Sequence, residues 1–229
     1  MSARARLRRP VTHVIFDMDG VLLDTERFYT QVTQEIVGRY GKTFDWSVKG
    51  DMIGRTALDA ARYLVETLEL PIAPEEYLCE REAGLAALMP TAEAMPGARE
   101  LTNELLVRGV PQALATSSSR AFFDLKRQRH AQWFAAVFRV IIAGDDPRLH
   151  RSKPAPDIFL LAAQDLGADP ASCVVFEDAP VGVEAARAAG MQVIAVPDPA
   201  MDRTRYGDAD LVVASLRDVD VETLNLRVR

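Results

Sequence analysis

The sequence predicts an α/β protein: a doubly wound parallel sheet, interrupted after its first strand by an inserted all-helical block. Three observations carry this. Short apolar, β-prone runs recur at residues 14–16, 110–115, 137–143, 173–176 and 193–196, with 211–213 a sixth. Helical patterns separate most of them, and strands alternating with helices give parallel βαβ units. From about residue 24 to residue 94 the alternation stops and only helical periodicity remains.

The elements follow in order. Val14, Ile15 and Phe16 form a continuous apolar run, the pattern of a strand buried on both faces, and it ends at Asp17. In the helical block, Phe28, Val32, Ile36 and Tyr40 recur every four residues, and Gly41 can stop that helix. Leu58, Ala61, Val65 and Leu68 make a second stripe, introduced by Thr56 with Asp59 three residues on, a capping-box pattern. Residues 74–89 are a third helical stretch, stopped by Pro90, and Met95-Pro96-Gly97 reads as the returning linker. Helices are then expected over 99–108, 121–133 and 157–166, and over 181–189 with Gly190 as a left-handed cap. The expected organisation is a disordered basic tail at 1–10, a core domain at 11–23 and 95–229, and a helical domain at 24–94.

The 229 residues suffice for a real core. With 48% hydrophobic and 26% charged residues the composition is that of a globular protein. A net charge of −6 makes a nucleic-acid polymer a poor partner, though an anionic metabolite can still find local positive charge. The two cysteines, Cys79 and Cys173, have neither disulfide-framework nor zinc-site spacing and fit a reducing cytoplasm. No apolar run reaches the ~18 residues of a membrane span. The arginines at 4, 6, 8 and 9 give the start the look of a transit peptide, but the first strand begins right after Pro10 and leaves little room for one, so a short disordered tail is expected.

Four short segments carry chemistry. In Asp17-Met18-Asp19-Gly20 two carboxylates two residues apart point to one side of an extended chain, beyond the carboxyl end of the first strand, where open α/β sheets bind ligands. Two close carboxylates invite a hard cation such as Mg²⁺, although a surface turn has the same spelling. An EF-hand is excluded, because position twelve would be Phe28 rather than Glu. Thr116-Ser117-Ser118-Ser119 opens a helix and reads either as an anion pocket or as helix capping. Lys153, between Ser152 and Pro154, is a compact charge for a phosphate oxygen or a solvated surface lysine. Glu177-Asp178 ends a buried strand. Neighbours there face opposite ways, so one direct metal ligand is expected, Asp178, with Glu177 behind it; a turn before Pro180 is the alternative.

Together these segments resemble the haloacid dehalogenase (HAD) superfamily of phosphatases, in the subgroup with a helical cap after the first strand. Phe16-Asp17-Met18-Asp19-Gly20-Val21-Leu22-Leu23-Asp24-Thr25-Glu26 is similar to its first motif, Ala115-Thr116-Ser117-Ser118 to the second, Lys153-Pro154 to the third and Phe176-Glu177-Asp178-Ala179-Pro180 to the fourth. Ala155 departs from the acid expected after Lys153-Pro154. The likeness runs furthest toward the pseudouridine-5′-phosphatase branch, through Asp24-Thr25-Glu26-Arg27 and Ala143-Gly144-Asp145-Asp146-Pro147 among others.

The resemblance implies a Mg²⁺-dependent phosphatase for a nucleotide or sugar phosphate, pseudouridine 5′-phosphate first. It implies Asp17 as nucleophile, Asp19 as general acid/base with a pKa raised by its neighbouring carboxylate, and Lys153, Thr116 and Ser117 on the phosphate. Mg²⁺ would be held by Asp17, Asp178 and the Asp19 backbone carbonyl. The cap sets specificity, with Lys49 and Arg55, between two cap helices, as candidates. A monomer in the cytoplasm is expected, with a small phosphorylated metabolite as partner and neither membrane nor nucleic acid. His13, His130 and His150 fit no metal or triad pattern. The alternatives are a β-phosphoglucomutase-like mutase on the same scaffold and, from another class, a phospho-receiver module.

Overall fold

The computed structural model describes residues 6–53 and 57–227. Six strands, β1 (His13–Phe16), β2 (Gln112–Ala115), β3 (Phe138–Ile142), β4 (Cys173–Glu177), β5 (Gln192–Ala195) and β6 (Leu211–Val212), form one sheet. Their order is β3-β2-β1-β4-β5-β6 and every pairing is parallel. β1 is central, with Ile15 in register with Ala113 on one side and Val175 on the other. Successive side chains of a strand face opposite ways. Val14 and Phe16 therefore join the apolar cluster on one face, and Ile15 joins the cluster on the other. Chain order reverses between β1 and β4, and a crevice opens there at the carboxyl ends of the strands.

The inserted block between Leu23 and Ala94 holds four α-helices among the described residues: α1 (Glu26–Gly38), α2 (Trp46–Met52), α3 (Ala57–Thr67) and α4 (Pro74–Leu88). α4 packs on both α1 and α3, and the buried Thr33 and Tyr77 hydroxyls bond at 2.9 Å across α1 and α4. The two chain segments that join this block to the sheet run antiparallel to each other. Leu23 bridges Ala94, the Asp24 amide donates to the Glu93 carbonyl at 2.9 Å, and the Met95 amide donates to Leu22 at 2.9 Å. The remaining helices are α5 (Ala98–Val107), α6 (Arg120–Lys126), α7 (Ala131–Val137), α8 (Asp157–Leu166) and α9 (Pro180–Ala188). Among the described residues no helix is long and apolar enough to cross a membrane.

Three expectations need correction. Lys49, expected between two cap helices, lies instead in a helix of its own, α2, whose first turn is capped by the Asp45 carboxylate accepting from the Ser47 amide. The expected helix over 121–133 is broken into α6, a 3₁₀ turn at Gln128–His130, and α7. The break turns Lys126 and His130 inward, where both bond to the other side of the molecule. Residues 6–10 of the expected tail are packed: Leu7 is buried and its amide donates to Thr223, and the Arg9 backbone exchanges two hydrogen bonds with the Gln192 side chain. The capping pattern at Thr56 lies outside the described residues.

Candidate active site

Asp17 follows β1 and its amide donates to the Phe176 carbonyl of β4, so the two strand ends are locked side by side. Glu177 is the last residue of β4 and Asp178 the next. Gly20, at φ +71°, turns the chain after β1 so tightly that a Cβ there would land on the Asp178 carboxylate; only glycine combines that backbone with that approach. Lys153 enters from the loop before α8. Its ammonium bonds Asp17 Oδ1 at 2.5 Å and Glu177 Oε1 at 2.5 Å. The other Glu177 oxygen accepts from the Ala179 amide at 3.1 Å. Gly182, in the first turn of α9, leaves room for the Glu177 carboxylate where any Cβ would strike it. Burial pushes the Asp17 carboxyl up to about 7; Lys153 opposes that shift, and Glu177 and Asp19 add to it.

Asp19 sits in a second polar knot. Its Oδ1 accepts from Thr25 Oγ1 at 2.5 Å and from the Lys126 ammonium at 2.6 Å. Its Oδ2 accepts from Ser118 Oγ at 3.1 Å, with Thr116 Oγ1 at 3.5 Å. Lys126 is fully buried at the end of α6 and also donates to Ser118 Oγ at 2.6 Å and to the Tyr29 hydroxyl of α1 at 3.4 Å. The sequence expectation of a raised Asp19 pKa is overturned. Burial does raise it, but the Lys126 charge and the donors Lys126, Thr25 and Ser118 outweigh burial and hold the carboxyl below its usual range. The charge that decides Asp19 comes from a residue distant in sequence, not from Asp17.

Between the sheet edge and the helical block is a cavity of about 470 Å³. Asp17, Asp19, Lys153, Glu177 and Asp178 line its floor, with Ser117, Ser118 and Ser119 at the side. Glu26, Tyr29, Trp46, Arg81, Glu82 and Leu85 reach it from the helices above. Thr116 is wholly buried beneath, its hydroxyl accepting from the Ser118 amide and turned to Asp19. Lys49, expected in a loop facing substrate, is in α2. It is buried, and its ammonium is taken up by Glu26 at 3.1 Å and Thr30 at 3.0 Å. Arg55 lies outside the described residues. Lys126, Thr25, Ser118, Tyr29 and Arg81 are the contributors that the residue pattern did not single out for roles. A lysine ending a helix reads as a favourable dipole partner in solvent, and only its fold neighbours reveal otherwise.

The donor set fits a divalent cation. Asp17 and Asp178 converge at the crevice, and the Asp178 carboxyl is held well above its usual value by burial and by the charges of Glu177 and Asp17. No ion pair to a basic side chain relieves Asp178 among the described residues. Two buried carboxylates repelling each other are what a hard cation satisfies. No three His, Cys, Asp or Glu side chains cluster as a self-sufficient metal site among the described residues. The set is two carboxylates plus the Asp19 carbonyl, which receives no backbone hydrogen bond from the described residues.

Asp17 with Lys153 beside it, Asp19 and Asp178 at the same strand edge, and helices above them enclose one acidic cavity. A family model described as "Hydrolase: haloacid dehalogenase-like hydrolase" matches residues 11–190. The chain belongs to that family, in the branch with a helical cap, and the phospho-receiver reading falls away. It is 48% identical to the protein named (DL)-glycerol-3-phosphatase 1, mitochondrial, of Arabidopsis thaliana, over 96% of this chain and 75% of that one. It is 43% identical to a Drosophila melanogaster protein named "Probable pseudouridine-5'-phosphatase", over 96% of each. Among solved structures it is similar to a HAD family hydrolase from Deinococcus radiodurans R1 with bound phosphate and sodium. The identity is 30%, 91% of this chain and 93% of that one are covered, and the TM-score is 0.74.

Proposed function

We propose that the protein is a Mg²⁺-dependent phosphatase of small polyol phosphates, glycerol 3-phosphate first, working through an aspartyl-phosphate on Asp17. The observation that supports it most is Asp17 at the switch point of the sheet, flanked by Lys153 and facing Asp178. Identity to the glycerol-3-phosphatases of Arabidopsis supports the substrate.

Asp17, Asp178 and the Asp19 carbonyl would hold Mg²⁺, which when bound offsets the charge repulsion between nucleophile and substrate. The Asp17 carboxylate attacks phosphorus in line and the ester P–O bond breaks. Asp19 gives a proton to the leaving alkoxide. Water then attacks the aspartyl-phosphate, its proton passes to Asp19, and phosphate leaves Asp17 with its carboxylate restored. Asp19 is ionised in the arrangement described, so the acid step needs a proton taken up as the negative phosphoryl group arrives and raises its pKa. Lys153, held by Glu177, and the serines of the 117–119 segment stabilise the phosphoryl oxygens.

A second reading, pseudouridine 5′-phosphate, draws on Trp46, Tyr29 and Phe122, whose rings border the cavity and could stack on a base. Phosphate release from glycerol 3-phosphate, pseudouridine 5′-phosphate and hexose phosphates, with Mg²⁺ or with chelator, separates the two by kcat/KM. Asp17→Asn keeps the shape and should cut turnover by about 10³-fold or more. Release that survives chelation or that substitution sinks the mechanism, and transfer between positions of a hexose phosphate without release would mark a mutase.

A further inference from the structure

We infer that Arg81 is the cap residue that binds the alcohol half of the substrate, by donating to an oxygen remote from the phosphoryl group. The inference rests on the phosphatase reading and adds to it the residue that selects the substrate.

Arg81 is on α4, two turns before the helix ends, and its side chain lines the cavity that holds Asp17. The lining is dominated by acids: Asp17, Asp19, Glu26, Glu82, Glu177, Asp178 and Asp198 all border it, with Lys153 and Arg81 as the cations. The Lys153 ammonium is already committed to Asp17 and Glu177. Lys126, behind the floor, is committed to Asp19. Glu26 is neutralised from the far side by Lys49. Arg81 has no ion pair with any carboxylate among the described residues. Its guanidinium lies 5.7 Å from the centre of the Tyr77 ring, a contact that fixes the stem and leaves the donors free.

One of those donors is in an unusual state. Arg81 Nε is buried and no acceptor meets it. A buried N–H without a partner is costly, and native structures leave few such groups unless something else supplies the acceptor. Glu26 and Glu82, the other charges that border the cavity from the cap, form no ion pair with Arg81 among the described residues, so the acceptor comes from the ligand. The phosphoryl group is bound on the floor, between Lys153 and the 117–119 segment. The part of the ligand that reaches the cap is therefore the leaving alcohol. What Arg81 selects is an alcohol bearing a hydroxyl away from the ester, as glycerol 3-phosphate does and a simple alkyl phosphate does not. A site built to bond such an oxygen rejects the analogue lacking it, because the donor is then stranded.

The test compares glycerol 3-phosphate with propyl phosphate, which has the same carbon chain and neither hydroxyl. Turnover is measured on the wild type and Arg81→Met. Binding is measured calorimetrically on Asp17→Asn, with and without Arg81→Met, so that the result does not depend on catalysis. The expected outcome is a preference for glycerol 3-phosphate of about 10-fold or more that collapses toward unity in Arg81→Met, with propyl phosphate little affected. Arg81→Gln stands in if the methionine variant does not melt cooperatively. An equal loss for both esters, an unchanged preference, or no preference or binding in the Asp17→Asn protein overturns the assignment. Normal binding preference without phosphate release from the wild type would sink the phosphatase reading and leave Arg81 standing.

Discussion

Lys126 carries more of the site than its position on a helix end suggests. It is fully buried, and its ammonium reaches Asp19, Ser118 and Tyr29, three groups from three parts of the chain. A lysine in such a place is affordable only because its charge is matched, and removing one half of a buried pair strands the other. Lys126→Met is expected to lower stability by about 3–5 kcal/mol, read by urea denaturation, with kcat falling well before KM changes. Lys126→Arg should not restore it, since a planar guanidinium does not fit where an ammonium makes three radial bonds. A variant as stable and as active as the wild type would show the knot to be incidental.

At the scale of elements, the 3₁₀ turn between α6 and α7 works as a clasp on the returning linker. His130 Nε2 lies 2.7 Å from the Ala92 carbonyl and must donate to it, while Nδ1, 2.7 Å from an Arg99 guanidinium nitrogen, must accept. Both ring nitrogens are thus assigned in the neutral form, and a second proton would face Arg99. Burial first, then Arg99 and Arg129, hold the His130 pKa below its usual value, against the Ala92 bond and Glu93. Above about pH 6.5 both folded and unfolded chains carry the neutral ring and nothing is lost. As pH falls below that, the unfolded chain takes up the proton first, so stability drops until the lowered folded pKa is passed. His130→Gln keeps the donor and cannot titrate. Unfolding free energies at pH 8 and pH 5.5 should therefore fall more in the wild type than in the variant, and equal slopes would exclude the clasp as a titrating element.

This turn also marks where the sequence stopped being legible. α8 was readable to its limits, because its apolar period and Pro156 are local signals. β1, β4 and β5 were readable because parallel, doubly covered strands are unbroken apolar runs. The candidate segments at Asp17, Thr116 and Glu177 were legible as strand ends because each closes such a run. α2 was not, having only seven residues and its turn set by Asp45. The break after Lys126 was not, because Asp19 and Ala92, which cause it, are more than thirty residues away. The Asp19 pKa went astray for the same reason: the adjacent carboxylate was visible and the distant ammonium was not.

On the scale of the whole molecule, the helical block shares an apolar cluster with one face of the sheet, and its Trp46 and Ile53 pack against the cluster on the other face. Phe28, Val32, Tyr77 and Leu85 from the helices belong to the same buried group as Phe16, Val174 and Phe134. A continuous core predicts one unfolding transition. Trp46 sits in α2 and Trp133 in α7, so Trp46→Phe and Trp133→Phe each leave one reporter. In either variant the fluorescence midpoint in urea should coincide with the midpoint by far-ultraviolet circular dichroism. Two separated transitions would mean that the helical block melts by itself.

The paired linkers have a consequence for how such proteins diversify. Leu23 and Ala94 are neighbours across a two-stranded bridge, although 71 positions separate them in the chain. To the sheet, everything between them is a decoration hung from two adjacent pegs, and the floor of the cavity stays with the sheet. A different helical module of any length could be grafted onto the same pegs without moving Asp17, Lys153 or Asp178. Evolution can thus change what the enzyme recognises while Asp17, Lys153 and Asp178 stay in place, provided the new module keeps a hydroxyl where Thr25 meets Asp19.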